Sequence, residues 1–120
     1  MSAGLQSFTK RGLTLKPHAE GKVSANATEK SITEANSIIT LSGIIDLSPM
    51  EAGDEVLIRQ YMKTHKGGDY KQYAQQTFQG APISPLVYIT PKTIRYGGKI
   101  TIQQTQGPPK EFEYFFVRLE

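Results

Sequence analysis

The chain has 120 residues, 38% hydrophobic and 21% charged, which allows one domain with a single modest core and is too short for two. Its 14 Lys+Arg against 11 Asp+Glu leave a net charge of +3, too mild a balance to point to nucleic acid by itself. The absence of cysteine excludes structural disulfides, thiolate metal sites and cysteine nucleophiles together.

In chain order, the texture changes near Asn36. Residues 1–36 are rich in Ser, Ala, Thr, Lys and Gly, with Leu5, Phe8, Leu13, Leu15, Val23 and Ile32 scattered singly. They are expected to form an extended N-terminal arm, with one or two short strands around Leu13–Leu15 and Gly21–Ala27. Residues 37–120 are expected to form the folded body. Its first strand signal is Ile38–Leu47, mostly β-branched and stopped by Ser48-Pro49, with Gly43 marking a bulge or bend. Glu55–His65 alternates Val56, Ile58 and Met62 against Leu57, Arg59, Tyr61 and Lys63. The glycines of Lys66-Gly67-Gly68-Asp69 suit a tight hairpin, and Tyr70–Gln79 runs back from it. Strand is favoured there, with a helix over Asp69–Gln79 as the alternative.

Leu86–Thr90 reads as a short buried strand, and Pro91–Tyr96 as a bridge to Gly97-Gly98. Lys99–Thr105, a turn at Gln106–Pro109 and Glu111–Leu119 form the clearest hairpin. Turn signals between strands spaced by roughly 8–12 residues predict an all-β fold: an antiparallel β-sandwich, jelly-roll or Ig-like, of about 7–8 strands.

The last strand is the most informative element. Alternation puts Phe112, Tyr114 and Phe116 on one face and Phe115, Val117 and Leu119 on the other. A sheet with one solvated face is polar at every second position. Here both faces are apolar, so the arm, another strand layer or a second subunit must cover the outer one. Phe115, Val117 and Leu119 are therefore the candidate subunit interface.

Signals for chemistry are weak. Gly67-Gly68 and Gly97-Gly98-Lys99 lack the spacing and the following helix of a phosphate-binding loop. His18 and His65 have no second histidine at ligand spacing, so no metal or other cofactor is expected. Glu111 and Glu113 share a strand face but read as hydrated carboxylates beside a turn, and no catalytic residue is assigned. Tyr61, Tyr73 and Tyr96, with Lys63, Lys71, Arg95 and Lys99 nearby, are the candidate face for a single-stranded nucleic acid or glycan. Nucleic acid is not favoured, since the positive charge is dispersed along the sequence and interleaved with acids.

Met1–Lys16 has no apolar stretch of signal-peptide length and no run approaches the ~20 residues of a spanning helix, so no membrane partner is expected. The cysteine-free, Thr/Gln-rich strands, the missing signal peptide and the polar arm are similar in texture to small β-sandwich components of virions, such as decoration, minor capsid or tail proteins. That likeness implies a non-enzymatic structural protein, with copies of itself or a capsid or tail protein as partner. Its location would be the virion, or the cytoplasm if the chain is not viral. The alternative is a small β-sandwich or barrel binding module.

Overall fold

The computed structural model describes residues 13–120. Eight strands follow one another: β1 (Leu15–Ala25), β2 (Lys30–Ala35), β3 (Ile39–Asp46), β4 (Glu55–Met62), β5 (Lys71–Gln79), β6 (Leu86–Ile94), β7 (Gly98–Gln106) and β8 (Lys110–Leu119). One sheet has the order β1-β8-β3-β6 and the other β2-β7-β4-β5, and every pairing is antiparallel. The first strand pairs with the last, the second with the seventh, the third with the sixth and the fourth with the fifth. Such nested pairing is one long hairpin rolled over itself so that successive strand pairs alternate between two sheets. This is the jelly roll, and it decides between the two sandwich types left open by the sequence.

The core lies between the sheets. β3 gives Ile39, Leu41 and Ile45, β6 gives Val87, Ile89 and Ile94, and β8 gives Phe112 and Phe116. They meet Ile32, Val56, Ile58, Ile100 and Ile102 from the second sheet. The alternation read in β3, β4 and β8 is thus the real division between inside and outside. Gly43 carries a close approach: a Cβ there would overlap the Phe116 ring and the Phe115 carbonyl of the paired strand. The bulge expected at Gly43 sits across from it. Thr90 and Pro91 of β6 together oppose Ser42, because the register steps from Leu41↔Lys92 to Gly43↔Ile89.

Three sequence expectations change. Residues 15–35 form two strands of the sandwich itself, β1 in one sheet and β2 in the other, so the body does not begin at residue 37. Both are edge strands held by backbone pairing to β8 and β7; β1 fully buries only Ala25, and β2 buries Ile32, Thr33 and Ala35 between polar neighbours, which dilutes their apolar signal. The arm over residues 1–12 lies outside the described residues. Secondly, Leu86–Ile94 is one strand through Pro91, which β6 tolerates as an edge strand with a bulge at that point. Thirdly, that strand is not buried on both faces: Leu86 and Tyr88 are each 58% exposed. Residues 71–79 are strand, not helix.

Candidate assembly face and cationic end

The outer face of the β1-β8-β3-β6 sheet follows from register. One row across it is Glu20–Phe115–Ile44–Tyr88, and the next is Lys22–Glu113–Asp46–Leu86. The apolar members of these rows run from Phe115 and Ile44 on the inner strands to Tyr88 and Leu86 on the edge strand β6, and Phe115 is 46% exposed. Ile44, Leu86 and Phe115 line an open depression of about 480 Å³, bordered by the carboxylates of Glu20, Asp46 and Glu113. Val117 and Leu119, the other two residues of the sequence-derived interface, continue the β8 row toward the opposite end and are half-buried. β1 lies beside β8 in the same sheet, so residues 15–25 flank this face and do not cover it. Leu86 and Tyr88 were missed because a continuous Leu-Val-Tyr-Ile run reads as a fully buried strand, whereas its alternate residues face out.

The outer face of the other sheet is built differently. Its corresponding row is Ser31–Thr101–Arg59–Gln75. Arg59 donates through Nε to Gln75 Oε1 at 2.9 Å and through Nη1 to Gln103 Oε1 at 2.7 Å, and stands 3.3 Å from Glu29. Glu29 also accepts from the Thr101 and Tyr61 hydroxyls. Burial pushes the Glu29 carboxyl up, but those hydrogen bonds and the charges of Arg59 and Lys99 outweigh it. Its pKa therefore falls below the usual carboxylate value. Here polar groups satisfy one another across strands, and Tyr73 on β5 is the half-exposed large side chain of this sheet.

The three candidate tyrosines do not share one platform. Tyr61 is held by Glu29 under the Lys99 ammonium, 5.0 Å from its ring centroid. Tyr73 is half-exposed on the edge strand β5 and donates to Gln60 Oε1 at 3.0 Å. Tyr96 lies between β6 and β7 with the Arg95 guanidinium 5.1 Å from its ring centroid. The structure instead joins Tyr61 to Tyr70: Lys99 stands 4.8 Å and Lys63 4.7 Å from the Tyr70 ring centroid. Tyr70 donates to Glu34 Oε2 at 2.9 Å, and burial with that bond pushes its hydroxyl pKa up to about 12.

Other candidate groups are engaged locally. His18 Nε2 donates to the Glu34 carbonyl at 3.1 Å, and Glu111 pairs loosely with Lys22 at 4.0 Å. Among the described residues no three His, Asp or Glu side chains gather as metal ligands, and no helix is long and apolar enough to cross a membrane.

No family model and no curated protein matches the sequence. Among solved structures, the chain is similar to VP2 of infectious bursal disease virus in its subviral particle, at 11% identity and a TM-score of 0.49, over 89% of this chain and 32% of that one. It is also similar to a point mutant of that VP2 in derived T=1 particles, at 10% identity and a TM-score of 0.50, over 89% and 31%. The chain spans about a third of the length of the solved chains it matches. At this identity the likeness is one of fold: an antiparallel β-sandwich of the kind found in a viral capsid protein.

Proposed function

We propose that this protein is a non-enzymatic structural subunit of a virus particle, in a capsid, decoration or tail role. It assembles with copies of itself through the outer face of the β1-β8-β3-β6 sheet. The observation that carries the reading is the contrast between the two outer faces: one is a closed polar network, and the other leaves Phe115, Leu86 and Tyr88 in water around a depression. Contiguous exposed apolar surface of this kind marks an interaction site. The face has the room for one, since the molecule is a slab of 49 × 40 × 19 Å and a stable contact needs only about 800 Å² from each partner. The choice of a second copy as occupant rests on the likeness in fold to the mutant VP2 found in derived T=1 particles.

Light scattering of the purified protein across a concentration series tests this. A discrete oligomer, or growth into particles, is expected. A monomer at every concentration overturns self-assembly through this face.

A further inference from the structure

The jelly roll gathers alternate loops at each end of the slab. One end holds residues 36–38, 63–70 and 95–97. Five cations stand there or on the adjoining strand ends: Lys63, Lys66, Lys71, Arg95 and Lys99. Among the described residues none of the five has a carboxylate within 4.0 Å, whereas Lys16, Lys22, Arg59, Lys110 and Arg118 all do. Lys30 and Lys92 spend their donors on the backbone carbonyls of Ser24 and Thr90. Residues 1–12 contain no Asp or Glu and so offer no partner carboxylate.

Among the described residues, the cations with neither a carboxylate nor a backbone carbonyl as partner are therefore segregated at one end, although basic residues are dispersed along the sequence. Glu34 stands opposite Lys99 in register, yet its carboxylate turns to the Tyr70 hydroxyl. Glu29 is taken by Arg59, Thr101 and Tyr61. The ammonium groups of Lys63 and Lys99 rest on tyrosine rings instead, which hold a cation in place without neutralising it. Like charges gathered this way repel one another and are stabilised by a polyanion that bridges them.

We infer that this end binds the phosphate backbone of single-stranded nucleic acid, without sequence preference. Lys63, Lys99, Lys66, Lys71 and Arg95 take the phosphates, and the half-buried ring of Tyr96 beside Arg95 offers a face on which an unpaired base can stack. Cations tracking a backbone beside aromatic rings are the recurring means of such binding. The site lies away from the apolar patch on the sheet face, so it is independent of assembly through that face.

The test is fluorescence anisotropy with a labelled 20-nucleotide oligothymidine, titrated at several salt concentrations. Each phosphate neutralised adds about −0.7 to the slope of log affinity against log salt, so engagement of all five cations gives about −3.5. The double variant Lys63→Gln/Lys99→Gln should shed about 1.4 of that slope and bind at least about ten-fold more weakly at low salt. Lys66→Gln/Lys71→Gln, at two exposed positions without a ring or carboxylate contact, should act similarly with no packing disturbed, while Lys22→Gln/Lys110→Gln should change the slope little. No binding at low salt, a flat salt dependence, or equal losses from all three pairs overturns the inference. Binding of heparin without oligothymidine overturns it too. So does a fall in oligomer mass with unchanged oligonucleotide affinity, which would make this end a contact between copies.

Discussion

Phe115→Ser removes the ring at the centre of the exposed row while leaving its strand paired on both sides. Full burial of a phenylalanine removes roughly 150–250 Å² from water. With 46% of Phe115 still exposed, about 90 Å² is left to bury in an assembly. At about 25 cal/mol per Å², that surface is worth about 2 kcal/mol per ring, or roughly forty-fold in dissociation constant. If two copies meet about a twofold axis and both rings are buried, the loss rises to about a thousand-fold. Sedimentation velocity or light scattering over a dilution series reads the shift directly. Tyr73→Ser is the matched control, since Tyr73 is 50% exposed in the opposite sheet and should leave the association curve where it is. A thermal melt confirms that each variant folds. Superimposable curves for wild type and Phe115→Ser, or equal shifts from both variants, would refute the assignment of this face.

Gly43→Ala forces a methyl group against the Phe116 ring and the Phe115 carbonyl, so β8 must shift; a loss of about 1–3 kcal/mol is expected from urea unfolding, and an unchanged midpoint would show that the strands do not approach this closely. Deleting residues 1–12 leaves both sheets complete and should preserve a cooperative melt, whereas deleting 1–29 removes β1, bares the β8 edge and should abolish it. The pKa of Glu29 is lowered in the fold, so the stability it confers is fully present above the unfolded carboxylate value and is lost as pH falls through the folded one. Wild-type stability should therefore drop more steeply than that of Glu29→Gln between about pH 5 and pH 3, and parallel curves would mean that the Arg59 network does not hold this carboxylate.

The inward residues were readable because each obeyed one local rule. Ile39, Leu41 and Ile45, or Phe112 and Phe116, alternate with outward neighbours, and that pattern survives folding unchanged. β1 was not readable as an 11-residue strand because it is held by hydrogen bonds to β8, while much of its length presents exposed side chains. Backbone pairing leaves no trace in composition. The apolar face was half legible: Phe115 announced itself as an apolar residue out of phase in β8. Ile44 joined it through the regular β3–β8 register, and Leu86 and Tyr88 through the β3–β6 register, which depends on a bulge at Thr90 and Pro91. The cationic end was illegible for a related reason. Lys63 comes from the β4–β5 turn and Arg95 and Lys99 flank the β6–β7 turn, distant in sequence, and only the pairing of other cations with carboxylates leaves these as an unneutralised group.

The apolar-faced sheet is also the one whose free edges are blunted. β1 and β6 are its outer strands; each carries a proline inside the strand, Pro17 and Pro91, and each has a register break beside it. Missing donors and bulges are how edges resist adding a further strand. A sheet that exposed Phe115, Leu86 and Tyr88 on its face and also offered clean edges would invite open-ended growth by strand addition. In the proposed assembly, interruption of both edges directs association to the face of this sheet, and a closed assembly becomes attainable. The second sheet differs mainly on its face. Its outer strands β2 and β5 also have register breaks but contain no proline, and its face is a polar network around Arg59 in which Tyr73 is the half-exposed large side chain. Apolar attraction and proline-interrupted edges thus fall on the same sheet, the combination a subunit needs if it is to associate strongly and in one way only.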